Sequence, residues 1–240
     1  MKSDRIGQFI ENLLACIGTA TVAALARFSM SLRSVVIGYA LIVVALLVVA
    51  WRTRLNIFLY QALVMVGVAA FRISMFNFPD LRNSLALTTS ASGTWSAVWA
   101  IALLAIGIPI AFQLREKDSG PAKQNVLRFL AQRPEQPLFF VSVILLTVLL
   151  FIKVSVGMVT LAWGIESIVV FLLALFAKER SFRLTGLALL ILCVAKIVFR
   201  DVWNSNDPAA RYLTLIGLGA ILLLVSYLYG KNREALREYL

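Results

Sequence analysis

The chain has 240 residues, of which 61% are hydrophobic and only 15% are charged, a composition that excludes an ordinary soluble protein and indicates a membrane protein. Its formal net charge of +11 comes from lysines and arginines scattered between apolar runs, so we expect the lipid bilayer as its partner and no nucleic acid. There is no histidine, and the two cysteines lie in apolar stretches without a disulfide or metal-ligand spacing. We therefore expect no metal ion and no cofactor.

Eight apolar runs predict transmembrane helices, which makes the expected fold an all-α polytopic membrane helix bundle. Seven of them can cross a hydrocarbon core of about 30 Å at 1.5 Å per residue, allowing for short ends or tilt. The first, weaker run either spans the membrane or lies in its interface as an amphipathic helix, which would leave seven spans. In chain order the runs are 7–28, 34–51, 55–75, 94–114, 137–154, 156–177, 184–203 and 211–230.

The first run could be mistaken for a signal peptide because Lys2 and Arg5 precede it, but Glu11 and Asn12 interrupt its apolar region. We expect a retained helix. If 7–28 spans and the N-terminus is cytoplasmic, roughly twice as many basic residues lie inside as outside, as the positive-inside rule requires. If it does not span, the two sides differ less. We therefore predict eight helices with both termini in the cytoplasm.

Two longer segments separate the spans. The segment 76–93 combines a Pro-Asp turn with a Ser/Thr-rich tract and is expected to be an external loop. The basic segment 115–136 is the main cytoplasmic linker, in which Pro121 could open a short surface helix. This linker divides the chain into a first four-helix membrane unit, 1–114, and a second, 137–240.

The two predicted units share a pattern that suggests duplication. The segment 44–72 can be laid over 171–200, so that two apolar runs and a short arginine-containing turn coincide and each segment ends in Phe-Arg. Apolar helices also resemble one another by chance, which is the alternative. A true duplication of four helices would give parallel repeats, related by an axis along the membrane normal.

Two charged residues fall inside predicted spans. Glu166 lies near the middle of 156–177, and Lys196 lies in the next span at what we expect to be the same distance from the connecting turn, 178–183. A charged group at the centre of a span costs about 2.5–3.5 kcal/mol, so both should face protein or water. Three interpretations remain open: a buried ion pair that fixes helix register, a proton or ligand site, or no pairing, with Lys196 extending toward Arg200 and Glu166 neutral.

Small residues predict where helices pack closely. In the span of Glu166 they recur every three or four positions, and two glycines lie close together in the last span. The predicted packing residues are Gly157, Thr160, Gly164, Ser167, Gly217 and Gly219. A polar external segment that includes Arg200 and Asp201 either solvates the turn between two spans or binds a headgroup or sugar.

The last third of the chain carries a recognisable set of residues within 160–235. The set comprises Trp163 and Glu166 in a W-x-x-E arrangement, Arg180, Arg183, Gly186, Lys196, Asp201, Gly217, Gly219, Ser226, Tyr227 and Tyr229. With these residues the segment resembles the C-terminal spans of bacterial predicted membrane proteins grouped as domain of unknown function 2339. The resemblance implies a polytopic protein of the bacterial inner membrane and implies no particular activity.

The sequence offers no convergent catalytic set, since it has no histidine, no Asp-rich motif, no cysteine pair and no nucleotide-binding loop. We therefore expect a non-enzymatic structural or accessory subunit that packs against itself or another membrane protein. The alternative is a small-solute or lipid transporter that uses Glu166 and Lys196 near the bilayer midplane, beside a water-accessible cavity.

Overall fold

The computed structural model describes residues 2–78, 91–115, 130, 132–154, 158–177, 179–196 and 208–231. Over these residues the chain forms eight α-helices and no strand, so the predicted all-α membrane helix bundle is confirmed. The helices are α1 Lys2–Ser29, α2 Val35–Thr53, α3 Asn56–Arg72, α4 Ala91–Gln113, α5 Glu135–Lys153, α6 Val159–Ala177, α7 Arg180–Lys196 and α8 Pro208–Lys231. Each corresponds to one of the eight apolar runs.

Five of the described helices, α1 to α5, contain a stretch long and apolar enough to cross a membrane. In α1 this stretch is Ile10–Ser29. The apolar stretches of α6 and α8 are shorter, Val159–Ala174 and Leu215–Tyr227. Length and composition thus support five crossings, and the crossings of α6, α7 and α8 stay predictions.

The chain divides into two compact units, Met1–Leu146 and Thr147–Leu240, and the boundary falls inside α5. The sequence places a linker at 115–136, but most of that linker, including Pro121, lies outside the described residues. The predicted four-plus-four arrangement and its parallel repeat therefore stay predictions.

Helix α2 is the centre of the first unit because it packs extensively against both α3 and α4. Arg54 ends α2 in a left-handed conformation, with φ of 57°, and its N–H bonds to the carbonyl of Ala50 at 2.8 Å. Only Arg54 and Leu55 separate α2 from α3, so the two helices form a tight hairpin. Helix α4 also approaches α2 closely, since a Cβ on Gly107 of α4 would lie 3.1 Å from Cδ1 of Leu47.

Helix α1 joins the first unit through polar contacts with α3. Thr19 Oγ1 donates a hydrogen bond to Gln61 Oε1 at 2.7 Å, and Gln61 Nε2 lies 3.3 Å from Cys16 Sγ. Gln61 lies within the candidate span Asn56–Asn77, so this contact places the middle of α1 beside a membrane-crossing helix. The arrangement favours the spanning form of α1 over the interfacial one.

Beyond Arg72, α3 continues as a π-helical turn, Ile73–Asn77, which carries a buried polar contact. Asn77 Nδ2 donates to the carbonyl of Arg33 and to Ser96 Oγ, both at 3.4 Å. Arg72 is only 8% exposed and donates to the carbonyl of Leu32 at 3.0 Å. A basic residue at the end of an apolar run is expected at the external membrane surface, but the structure buries Arg72 at the end of α3.

In the second unit, α6 and α7 form the closest helix pair. A Cβ on Gly186 would lie 3.2 Å from the backbone nitrogen and Cα of Phe171, so the two backbones approach each other there. Helix α8 packs against α6, and a core of Phe171, Leu190, Ile221 and Val225 joins all three helices.

Candidate functional site

Six side chains of the second unit lie together where the end of α5, the first half of α6 and the end of α7 meet. Three of these side chains carry hydroxyl or amine groups, one is a carboxylate, one is an indole and one is a thiol. We call this group the Glu166 cluster; it consists of Thr147, Thr160, Trp163, Glu166, Cys193 and Lys196.

Glu166 is buried, with 4% of its surface exposed, and it is hydrogen-bonded to a residue of α5. Thr147 Oγ1 donates a hydrogen bond to Glu166 Oε1 at 2.9 Å. The second carboxylate oxygen, Oε2, is buried and has no hydrogen-bond partner among the described residues. The carboxylate is thus fixed at one oxygen, and the other oxygen can still accept a hydrogen bond.

Trp163 adds a second link between α5 and α6. Its Nε1 donates to the backbone carbonyl of Thr147 at 3.0 Å, and its ring stacks on Phe151 with a centroid distance of 6.0 Å and an interplanar angle of 24°. The W-x-x-E spacing places Trp163 and Glu166 one helical turn apart, so both bind the same residue of α5. Thr147 therefore holds α6 through its carbonyl and its hydroxyl.

Lys196 links α7 to α6. Its Nζ donates to Thr160 Oγ1 at 2.5 Å and lies 5.8 Å from the centroid of the Trp163 ring, within the range of a cation–π contact. Between these groups lies Cys193, which is fully buried and packs with Val159 and Trp163.

Glu166 and Lys196 enter the same cluster, but their hydrogen bonds go to different hydroxyl groups and not to each other. The expected equal depth is wrong, because α7 begins at Arg180, inside the segment taken as a turn. With Gly186 opposite Phe171 and Lys196 opposite Thr160, Glu166 lies level with about the middle of α7. Lys196 is then displaced from it by roughly 8 Å along the helix axis.

Two of the small residues of α6, Thr160 and Ser167, are fully buried and contact α7. Gly164 between them is also buried. Ser167 Oγ donates to the carbonyl of Gly186 at 2.8 Å. Gly157 lies outside the described residues, as do Arg200 and Asp201.

The two glycines of α8 differ. A Cβ on Gly217 would lie 2.6 Å from Cδ1 of Leu161, so α8 approaches α6 closely at this residue. At Gly219 no atom lies within 4 Å of the corresponding position in the described part of the chain. Two residues rotate the helix by about 200°, which turns Gly219 away from the face that carries Gly217. The described residues thus give Gly219 no close neighbour, and close packing there stays a prediction.

Thr147 is the residue that sequence reasoning missed. Its only signal is a hydroxyl within the aliphatic run around it, and threonine is common in membrane helices because it can bond to its own backbone. Among the described residues, no three His, Cys, Asp or Glu side chains lie together in a way that could hold a metal ion. The cluster can donate and accept hydrogen bonds, and it can hold or exchange a proton.

A family model described as "Predicted membrane protein (DUF2339)" matches residues 8–231. The match includes the cluster and extends the resemblance noted at 160–235 to the first unit. No curated protein and no solved structure matches the chain.

Proposed function

The chain belongs to the family of predicted membrane proteins DUF2339, and we propose that it acts in the bacterial inner membrane as a non-enzymatic structural or accessory subunit with both termini in the cytoplasm. The observation that carries this proposal is the use of the buried polar groups of the second unit as links between helices. The family membership supports a membrane location, and the role and orientation rest on the contacts and on the distribution of charge.

The hydrogen bonds of Thr147, Ser167 and Lys196 each join two different helices. Thr147 joins α5 to α6, while Lys196 and Ser167 join α7 to α6. In hydrocarbon an unsatisfied polar group is costly, so such bonds fix the rotation and register of the helices. This is the arrangement that a scaffold needs and that a catalyst with an open site does not.

The outward faces of α7 and α8 support an assembly role. Ile191, Ile216 and Leu223 are at least 70% exposed. In a membrane these side chains meet lipid or the apolar face of another protein, and the proposed partner is a second copy or another membrane protein.

Small-solute or lipid transport is the second candidate. It is favoured by the buried Oε2 of Glu166, which has no hydrogen-bond partner in the described part of the chain. A buried oxygen atom without a hydrogen-bond partner needs an explanation, and binding of a proton or a solute by the carboxylate is one explanation.

Access of water to the cluster separates the two candidates, and the native Cys193 reports it. In a Cys16→Ala variant, a small water-soluble thiol reagent added to intact cells should leave Cys193 unlabelled, because this side chain is fully buried within the cluster. A cysteine introduced by Ser31→Cys, in the exposed link between α1 and α2, should be labelled and serves as the positive control.

The same labelling is then repeated with Glu166→Cys in a chain that lacks both native cysteines. Protection at both positions in protein that elutes as a single species supports the scaffold. Labelling at either position in folded protein would refute a sealed cluster and favour transport.

A further inference from the structure

An open groove of about 550 Å³ lies between α7 and α8, and of the three exposed residues that support an assembly role only Ile191 lines it. Its floor is formed by Leu190 and Val225, which are 4% and 5% exposed and pack with Phe171 of α6. Apart from one serine, the lining is aliphatic: Leu187, Leu190, Ile191 and Val194 from α7, and Leu222 and Val225 from α8. The groove therefore suits a hydrocarbon chain.

Arg183 precedes the first lining residue of α7, Leu187, by about one helical turn. Arg183, Leu187, Leu190 and Val194 follow one another at spacings of four, three and four residues, which places them on one face of α7. The Nε of Arg183 is buried and has no hydrogen-bond partner among the described residues. A guanidinium is always charged and matches the geometry of a phosphate.

The charge around Arg183 also favours an anion. Arg180 lies in the same first turn of α7, whose N-terminal amide groups carry a partial positive charge. One carboxylate, that of Glu179, precedes the helix, and its backbone oxygen accepts the N–H of Arg183 at 3.3 Å. Arg183 and the helix end thus supply positive charge, and the described carboxylate beside them is that of Glu179.

The length of the groove fits one leaflet. From Arg183 to Val194 the axis of α7 rises by about 16 Å, close to half of a hydrocarbon core of about 30 Å. A molecule with an anionic group at Arg183 and an apolar chain along the groove would extend from the membrane surface to the midplane.

We propose that this groove binds one acyl chain of an anionic phospholipid and that Arg183 holds its phosphate. The N-terminus of α7 lies on the side predicted to be cytoplasmic, where anionic lipids are attracted to basic residues near the membrane surface. The site does not depend on the role of Glu166.

The test uses the full chain reconstituted in vesicles of phosphatidylcholine and phosphatidylglycerol, extracted in mild detergent and examined by native mass spectrometry for retained lipids. The wild-type chain should retain one phosphatidylglycerol in preference to phosphatidylcholine. Arg183→Gln should lower that preference about fivefold, the effect of one basic residue near a lipid phosphate. Arg52→Gln removes an exposed arginine from the last turn of α2, which does not line the groove, and should leave the preference unchanged.

Blocking the groove provides an independent variant. Leu222→Trp should reduce retention of both lipids, whereas Leu223→Trp, on the neighbouring residue that does not line the groove, should not. Equal retention in Arg183→Gln and Arg52→Gln, or in Leu222→Trp and Leu223→Trp, would overturn the proposal. So would a dimer without retained lipid that Leu222→Trp dissociates, because the groove would then be covered by a second copy.

Discussion

Thr147 shows how one residue can hold two side chains of a neighbouring helix. It is the observed hydrogen-bond donor to the carboxylate of Glu166, and its carbonyl accepts the indole N–H of Trp163. Two side chains of α6 thus depend on one residue of α5. Removing the hydroxyl would leave a buried acceptor without its donor, which is costlier than removing both groups.

We predict that Thr147→Val destabilises the protein in detergent by about 1–3 kcal/mol. Thr185→Val is the matched control, because Thr185 Oγ1 bonds to the carbonyl of Ser181 in its own helix and should cost less. Thermal or denaturant unfolding of the purified variants measures both.

The same change in a Glu166→Leu background tests the mechanism of that effect. Without the carboxylate, no buried acceptor loses its donor, so Thr147→Val should then lower the free energy of unfolding only slightly. A loss of the same size in both backgrounds would contradict the assignment of Thr147 as the partner of Glu166.

At the scale of helices, the existence of α7 was predicted correctly, but its alignment along α6 was not. The apolar run gives the helix, but its charged first turn, with Arg180 and Arg183, was taken as a loop. Long arginine side chains can begin a membrane helix because their charged ends extend toward the surface. The earlier start of α7 moves Lys196 away from Glu166 and to the level of Thr160.

Gly186 is expected to hold α6 and α7 at their observed separation. We predict that Gly186→Ala destabilises the protein by about 1–3 kcal/mol, because the added Cβ would meet backbone atoms of Phe171 at 3.2 Å and backbone atoms cannot rotate away. The readout is the unfolding temperature in detergent.

Gly67→Ala is the control for this prediction. Nothing described lies within 4 Å of the Cβ that alanine would place on Gly67, so the change should be neutral or stabilising by up to about 1 kcal/mol through helix propensity. Equal unfolding temperatures for the two alanine variants would show that the close approach at Gly186 does not contribute to stability.

For the whole molecule, the sequence is informative about which residues form helices and poor on how the helices face each other. Leu47 and Val48 illustrate the reason: both are aliphatic neighbours in α2, yet Leu47 is fully buried and Val48 is 41% exposed. Lipid is as apolar as a protein core, so hydropathy does not distinguish the two surroundings. The buried Arg72 was missed because a charge near a helix end ordinarily indicates the interface.

The orientation of the chain is testable with reporter fusions. We predict that green fluorescent protein fused to either terminus fluoresces, since eight crossings leave both termini in the cytoplasm. Alkaline phosphatase inserted within 79–90 should be active, because three crossings precede this segment and place it outside. Alkaline phosphatase fused after Arg54, on the predicted inner side, is the inactive control.

The same experiment tests whether α1 crosses the membrane. If α1 lay in the interface, the N-terminal fusion would be external and dark while the C-terminal fusion fluoresced. That pattern would contradict eight crossings.

The two-residue link between α2 and α3 has a consequence for how the protein is made. With only Arg54 and Leu55 between them, α2 and α3 can pair as a hairpin without first ordering a loop. The pair can bury its shared face as soon as α3 emerges, and α1 is already present to join it. Helix α4 then completes the surroundings of α2, so the order of synthesis matches the order in which the central helix acquires its neighbours.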